Sequence, residues 1–369
     1  MVEGKPIKNF FRAMLYLSPA LIFLAIFTFY PLLNTFLISF REKYEYMQGI
    51  HEGIGLENYK ALLKASYFGP ALLNTMIIVF VSVPLSLILS LLISVALNSI
   101  KSFKKILQTV FFLPYVTNTI AIGMVFAVMF ESKQGLVNAF VKMCGSEGIN
   151  WLGAPKLGTG SNLVLLFQWF DINKAASAAE VFEKNMIQFI GNTGIMSVEK
   201  MTSISEYVGI SVLFDKIDFI TPQYLTALTV LMVYIIWNSL PFKILILLSS
   251  LQSIDKQYYQ AAKIDGASKI KTFMNITVPF VSPQLVYLMI TSFIGAWKEY
   301  SAIDAIFGTG GGINGKDNMA TVVWHIYRFI NSSMSGQMGY AAAFAVILFV
   351  IILLFTALNR YISNKKVHY

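Results

Sequence analysis

Charged residues divide the chain into long apolar stretches separated by short polar connections. Six intervals of 24 to 36 residues contain no Asp, Glu, Lys or Arg. They lie between Arg12 and Arg41, Lys64 and Lys101, Lys105 and Glu131, Asp218 and Lys243, Lys271 and Lys298, and Arg328 and Arg360. Because about 20 apolar residues in a helix cross the hydrocarbon core of a bilayer, each interval predicts one spanning helix.

The composition supports an all-α integral membrane protein with about six transmembrane helices. Hydrophobic residues make up 56% of the chain and charged residues 13%, and the mean hydropathy is +0.64. These values exclude a disordered chain, which needs low hydrophobicity and high charge. Cys144 is the single cysteine, which excludes a disulfide framework within the chain.

Basic residues in the short connections predict the orientation of the chain. They concentrate before the first interval, between the second and third, and after the last, so these edges are expected to be cytoplasmic. The predicted organisation is a cytoplasmic tail at 1–12, spans one to three at 13–130, an extracellular segment at 131–221, spans four to six at 222–361, and a second cytoplasmic tail at 362–369. The net charge of +9 is explained by these edges, so nucleic acid is not expected as a partner.

The extracellular segment at 131–221 holds the largest polar stretch of the chain. A helix is predicted from Ala175 to Ile190, capped by Asp171 or Asn173. Its apolar stripe predicts either a small core or a docking surface for an external partner.

Motifs for covalent, metal or nucleotide chemistry are absent from the sequence. Gly310 to Asp317 fits the spacing of a phosphate-binding loop, but Asp317 stands where Ser or Thr would hold magnesium. The three histidines are scattered, and no GxSxG sequence occurs. The chain is therefore not expected to be an enzyme.

The cytoplasmic connection between spans four and five has its own pattern. Ser253 is predicted to cap a short helix whose first turn contains Asp255. Ile254, Tyr258 and Ala261 or Ala262 are expected on one face of that helix. Gly266 then ends it, and a second short helix leads into span five at Pro279. The alternative for this connection is a helix lying on the lipid surface.

This connection resembles the EAA loop of ATP-binding-cassette (ABC) importer permeases. The matching residues are Gln260, Ala261, Ala262, Asp265, Gly266, Ile276 and Pro279. The runs 112–116, 150–153 and 310–312 resemble the same family, and the resemblance covers about 13–153 and 223–361. Two residues depart from the family pattern, since Gln260 replaces the usual Glu and Val278 the usual Leu.

The resemblance is to the larger permease of carbohydrate importers of the maltose and multiple-sugar type. It implies the type I ABC importer fold, with an insertion at 154–222 and a location in the bacterial cell membrane. Four kinds of partner are implied: a second homologous permease, two ATPase subunits, an external solute-binding protein and the transported sugar. ATP and magnesium would bind to the ATPases, so no cofactor is expected in this chain. The EAA loop would transmit the closure of the ATPases.

Two clusters of side chains within the spans offer the chemistry that binds sugars. Aromatic faces stack on sugar rings, while amides and carboxylates bind the hydroxyls. The candidates are Tyr234, Trp237 and Asn238 in span four, and Trp297, Glu299 and Tyr300 in span five. The alternative is that the tryptophans pack between helices or anchor at the membrane interface, and that Glu299 pairs with Lys298 or with another subunit.

A secondary transporter or channel for a small polar solute is the alternative function. Such proteins place ionisable residues within their spans or show inverted repeats. Here only Lys243, Lys298, Glu299 and Asp304 approach membrane depth, and no repeat is visible. The sequence therefore favours an ATP-driven importer.

Overall fold

The structure is a computed structural model that describes residues 6–100, 104–145, 148–152, 222–313, 316–332 and 337–366. The predicted helix from Ala175 to Ile190 lies outside these residues. The chain forms two compact units, Met1–Leu63 with Ile326–Val350, and Lys64–His325 with Ile351–Tyr369.

The first unit begins with a long apolar helix. Helix α1 (Pro6–Leu24) continues through a π-helical turn (Ala25–Phe29) into α2 (Tyr30–Ser39). Along the most apolar 18-residue stretch of this continuous helix, no residue is buried within the chain. Two short antiparallel strands, β1 (Arg41–Glu42) and β2 (Gly53–Ile54), and helix α3 (Glu57–Lys64) follow. The buried Asn58 amide donates to the carbonyl oxygens of Ser39 and Arg41 at 3.0 and 2.9 Å, and so joins α3 to the end of α2.

The second unit is also helical in its described part. Its first elements are α4 (Phe68–Ile77), a π turn (Ile78–Ser82), α5 (Val83–Ser99), α6 (Lys104–Val116), α7 (Thr119–Met129) and α8 (Leu136–Met143). The next described elements are α9 (Pro222–Ser253), α10 (Lys256–Ile264), α11 (Lys269–Thr272), a π turn (Phe273–Thr277), α12 (Val278–Trp297) and α13 (Ser301–Phe307). Short 3₁₀ turns (Gly308–Gly310 and Asp317–Met319), α14 (Val322–Ile330) and α15 (Gln337–Lys366) complete the described chain, and the parts of α14 and α15 within Ile326–Val350 belong to the first unit.

In the part of the chain that the structure describes, five continuous helices are long and apolar enough to cross a membrane. They are Phe10–Ser39, Phe68–Ser99, Gln223–Ser253, Lys269–Trp297 and Gln337–Tyr361. Helices α6 and α7 form a sixth span if they are counted together, but they are bent by 100° relative to each other. The count of about six spans is therefore confirmed, while the interval from Lys105 to Glu131 holds two helices instead of one.

The break in this interval has a local cause. Asn118 adopts an extended backbone conformation, and its side-chain oxygen accepts hydrogen bonds from the N–H groups of Ile120 and Ala121, which caps α7. Pro114 lies inside α6, before the break. Beyond the break, Gly123 lies against Ala305 of α13, so closely that a Cβ at position 123 would collide with the Ala305 methyl group.

A seam of serines brings α5 and α9 together in the centre of the second unit. Ser86, Ser90 and Ser94 recur every four residues along α5 and are all buried. Ser94 Oγ donates to the carbonyl oxygen of Ile244 in α9 at 3.3 Å. Small residues let membrane helices approach closely, so these serines allow α5 and α9 to pack closely along their length.

Two buried asparagines hold the connections at the ends of the spans. Asn138 Nδ2 donates to the carbonyl oxygens of Ser132 and Ile149, while its Oδ1 accepts from the Ile149 N–H and from Trp151 Nε1. Asn74 Nδ2 donates to the carbonyl oxygens of Asn318 and Ala320. Because these amides replace the backbone partners that an irregular connection lacks, both connections are fixed to the helices.

Candidate functional site

A cavity of about 480 Å³ opens where the broken third span meets α9 and α12. Helix α9 contributes one wall through Tyr234, Ile235, Asn238, Ser239, Phe242 and Lys243, and the α12 side contributes Thr291, Ser292, Gly295, Ala296 and Glu299. Ser82, Val83, Pro114, Tyr115 and Thr119 complete the lining. Its volume lies in the range of small-molecule sites.

The structure brings three of the six predicted pore residues together in this lining, namely Tyr234, Asn238 and Glu299. Glu299 follows the end of α12, and its Oε1 accepts the N–H of Ala302 at 2.9 Å at the start of α13. The Tyr234 hydroxyl donates to the carbonyl oxygen of Thr119 at 2.6 Å. Tyr234 therefore also holds the beginning of α7 beside the break.

The other three predicted residues do not line the cavity. The Trp237 ring packs against Phe126 with 5.3 Å between ring centroids and is 38% exposed. Trp297 is fully buried, and its ring lies 5.5 Å from that of Phe355. Tyr300 packs against the hydrophobic core of the second unit. These contacts agree with the interhelical packing weighed as the alternative for the tryptophans.

Asn238 is the cavity residue whose polar groups are most available. Its amide makes no hydrogen bond with another described residue, and the same is true of the hydroxyls of Ser82 and Ser292. Inside a membrane a free amide is costly unless a ligand or water bonds to it. The cavity therefore presents unused donors and acceptors to whatever enters it.

Lys243 is the lining residue that sequence reasoning left without a role. Its side chain is buried, and its ammonium donates to the hydroxyl oxygens of Ser86 and Ser239. The sequence pointed to this residue through its charge, because Lys243 ends the fourth charge-free interval while helix α9 continues past it to Ser253, which places a charge inside the helix. Among the described residues, no group of three or more His, Cys, Asp or Glu side chains is placed to hold a metal ion.

The connection after α9 differs in detail from its prediction. The residue that caps α10 is Asp255, whose carboxylate accepts the N–H of Gln257 at 2.9 Å, so the predicted cap at Ser253 is wrong. Ser253 instead ends α9 and donates to the carbonyl oxygen of Ser250. The Asp255 carboxylate also provides the negative charge that favours a helix N-terminus.

The predicted apolar face of α10 is also only partly correct. Ile254 and Ala262 are buried, whereas Ala261 is exposed and Tyr258 is 49% exposed. The second short helix is not separate, because α11 runs through the π turn into α12 as one helix from Lys269 to Trp297. The segment thus consists of one separate short helix, α10, and the base of span five.

The corner between α10 and span five is built on Gly266, as the sequence predicts. Gly266 has a φ of +68°, which a glycine adopts without strain. Its N–H donates to the carbonyl oxygen of Lys263, and the N–H of Ala267 donates to that of Ala262, which together form a Schellman motif. Nothing lies within 4 Å of the position where a Cβ of residue 266 would be.

Two aromatic side chains attach α10 to the base of span five. The hydroxyls of Tyr259 and Thr277 are 3.2 Å apart, and the ring of Tyr258 lies 4.8 Å from that of Phe280. On the opposite side Gln260, Ala261 and Asp265 remain exposed. The predicted loop residues Ile276 and Pro279 lie in the π turn and in the first turn of α12, where they join the corner to the span.

Comparison with known proteins gives one family and a set of relatives of similar length. The family described as "Binding-protein-dependent transport system inner membrane component" matches residues 86–368. The arabinooligosaccharides transport system permease protein AraP of Bacillus subtilis is 24% identical over 354 residues, which cover 95% of this chain and 88% of that protein. The trehalose/maltose transport system permease protein MalF of Thermococcus litoralis is 25% identical over 342 residues, which cover 93% and 90%.

A solved structure shares the fold of this chain. It is a chain of the bacterial alginate ABC transporter in complex with an alginate pentasaccharide-bound periplasmic protein. The TM-score is 0.64 at 15% sequence identity, and the match covers 97% of this chain and 96% of that chain.

Proposed function

Because the chain belongs to the family of binding-protein-dependent transport system inner membrane components, it is a permease subunit of an ABC importer, and we propose that its cargo is a sugar or oligosaccharide. The fold is that of type I ABC importers, and the chain is a transport component and not an enzyme. The sugar cargo is supported by the permeases for arabinooligosaccharides and for trehalose and maltose that it resembles.

The observation that carries the proposal is the cavity between the broken third span, α9 and α12. It combines the aromatic rings of Tyr115, Tyr234 and Phe242 with the free amide of Asn238 and the free hydroxyls of Ser82 and Ser292. Rings and hydrogen-bonding groups in one lining suit a molecule that has apolar faces and many hydroxyls. We assign cargo contact to Asn238 first, while Tyr234 and Glu299 shape the cavity around it.

The exposed side of α10 is the surface proposed to dock on a cytoplasmic ATPase subunit. Gln260, Ala261, Asp265 and Gly266 all lie on the exposed part of the corner, and Ile264 beside them is 86% exposed. An exposed isoleucine beside small residues suits insertion into a groove of a partner. Since Tyr258 and Tyr259 fix α10 to span five, a movement of the ATPase would move the cavity wall of α12 as well.

Four kinds of partner complete the proposed importer. Two ATPase subunits would bind ATP and magnesium, and a second homologous permease would supply the other half of the pore. A solute-binding protein would deliver the sugar from outside, as the periplasmic protein in the alginate transporter complex supports. Membrane lipid would surround the spans.

The family places the chain in the inner membrane, and we propose that both termini are cytoplasmic and that 131–221 is external. Cysteine labelling tests this orientation in a variant that lacks Cys144. A cysteine introduced at position 184 should react with a membrane-impermeant maleimide added outside intact cells. Reaction only after the cytoplasmic side is opened would reverse the topology.

ATP-driven sugar uptake by the complete importer tests the function. Proteoliposomes that contain this chain, its second permease and the ATPases should accumulate radiolabelled oligosaccharide only with internal ATP and external binding protein. Collapsing proton and sodium gradients with ionophores should leave the uptake unchanged. Uptake that survives ATP depletion but stops with the gradients would identify a secondary transporter instead.

A further inference from the structure

Lys243 is a buried cation in the cavity lining without a carboxylate partner. Its side chain is 5% exposed, and no acidic group among the described residues lies within ion-pair distance of its ammonium. Its hydrogen-bond partners are the neutral hydroxyls of Ser86 in α5 and Ser239 in α9. A buried charge without a counter-charge is expensive, so the position calls for an explanation.

The hydroxyl groups of Ser86 and Ser239 do not need the lysine for their own hydrogen bonds. The Ser86 hydroxyl donates to the carbonyl oxygen of Val83 at 2.9 Å, and the Ser239 hydroxyl donates to that of Ile236 at 2.8 Å. Both hydroxyl protons are thus satisfied without the lysine, which uses only their acceptor capacity. An ammonium has three N–H donors, so one remains after these two bonds.

The carboxylate in the cavity lining does not neutralise Lys243 either. The side-chain Oε1 of Glu299 accepts the N–H of Ala302, and the main-chain carbonyl oxygen of Glu299 accepts the hydroxyl proton of Thr321 at 2.6 Å. Both interactions attach it to the elements that follow α12. The other titratable side chains of the lining are the phenols of Tyr115 and Tyr234. The positive charge of Lys243 is therefore available to a molecule in the cavity.

We propose that the imported sugar is acidic, and that Lys243 binds its carboxylate or sulfate group. This inference rests on the proposed sugar import and names the class of sugar. Asn238 lies five residues before Lys243 in α9, about 7 Å away along the helix axis, and lines the same cavity. A sugar ring can therefore place hydroxyls at Asn238 while its anionic substituent reaches the ammonium.

Equilibrium binding to the complete importer in lipid nanodiscs, without the binding protein, tests the proposal. The probes are oligosaccharides of uronic acids, each paired with its carboxyl-reduced neutral counterpart, and sulfated oligosaccharides of the same neutral sugars. An acidic probe should bind about tenfold or more tightly than its neutral counterpart. Preference for the carboxylated or the sulfated probe distinguishes the two acidic groups.

Variants of Lys243 connect the preference to the residue. Lys243→Met and Lys243→Gln should both abolish the preference for the acidic probe, whereas Lys243→Arg should retain it. Lys243→Gln keeps a hydrogen-bond donor near the serines, so it serves if the methionine variant fails to assemble, which size-exclusion chromatography reports.

Two other outcomes separate this proposal from the proposed function. Equal binding of acidic and neutral probes, unchanged in Lys243→Met, would overturn the acidic cargo and leave sugar import intact. Binding of neither kind of sugar, together with the failure of ATP-driven sugar uptake described above, would overturn both.

Discussion

The hydroxyl groups of Tyr259 and Thr277 lie 3.2 Å apart and join α10 to the base of the fifth span. Tyr259 also packs against the buried group of Leu251, Ile254 and Val281. Through this tyrosine, one residue of α10 contacts the end of span four, the linker and the start of span five. The contact therefore links α10 directly to the base of α12, whose far end lines the cavity.

Breaking this hydrogen bond should weaken coupling without preventing assembly. Tyr259→Phe removes the hydroxyl but keeps the ring, so the cost is about 1 kcal/mol. The number of sugar molecules imported per ATP hydrolysed should fall by up to about fivefold, as that energy implies. Tyr258→Phe is the matched control, because the Tyr258 hydroxyl makes no hydrogen bond with another described residue. An equal effect of both variants would contradict the role of the contact.

A charge at the exposed corner should abolish transport. Ala261→Asp leaves the interior of the chain unchanged because Ala261 is exposed, whereas Gly266→Asp has free space for its Cβ but places an L residue at a φ of +68°, which strains the corner. Uptake should be lost while the subunit remains in the membrane, because the substitution meets the ATPase partner. Gln260→Glu introduces the same charge beside them but restores the family residue, so near-normal uptake is expected. Normal uptake and ATP hydrolysis in both aspartate variants would remove this surface from coupling.

Truncation of Asn238 should affect uptake far more than basal ATP hydrolysis. Asn238→Ala breaks no hydrogen bond between described residues, so a loss of uptake of about tenfold would report lost contacts to the cargo. Trp237→Ala is the comparison, since its ring packs on Phe126 outside the cavity lining. A parallel loss of uptake and hydrolysis in Asn238→Ala would indicate faulty assembly, and a selective loss in Trp237→Ala would extend the site to that ring.

Filling the cavity from Gly295 should block the pathway. This glycine lines the cavity, and no atom lies within 4 Å of the position of its missing Cβ. Gly295→Leu should therefore fit and occupy cavity space, which reduces uptake strongly. Gly295→Ala fills little space and favours the helix by up to about 1 kcal/mol, so it should transport normally. Unimpaired transport by the leucine variant, measured as initial uptake rate, would place the pathway elsewhere.

The serine seam should tolerate loss of a hydroxyl but not added volume. Ser90 of α5 is fully buried, and among the described residues its hydroxyl bonds only to the carbonyl oxygen of Leu87 in its own helix. Ser90→Leu overpacks the seam at a cost of about 1–3 kcal/mol, which should lower the melting temperature of the purified complex. Ser90→Ala should change it little, and a similar decrease in both variants would show that the hydroxyl matters more than the volume.

Much of the architecture follows from the spacing of charges, because a charge is costly in hydrocarbon wherever the chain folds. The break in span three does not follow from it, since the halves around Asn118 are both apolar and hydropathy treats them as one stretch. The local signal was Asn118 itself, a residue that favours helix caps over helix interiors.

The cavity shows the same limit of sequence reasoning. The types of residue that bind sugars identify Asn238 as well as Trp237, but only the direction of each side chain places one in the lining and the other against Phe126. Lys243 was visible as a charge near membrane depth. Its lack of a carboxylate partner depends on α5 presenting Ser86 at that point, which is a tertiary relationship.

The two halves of span three pack on different helices, and the close contact between Gly123 and Ala305 is one part of that difference. Helix α6 packs on α9, whereas α7 packs mainly on α13, with the glycine allowing that close approach. Asn118 ends the backbone continuity of the helix between them. A displacement of α6 is therefore not transmitted along one continuous helix to α7, so the two helices of this span can move by different amounts.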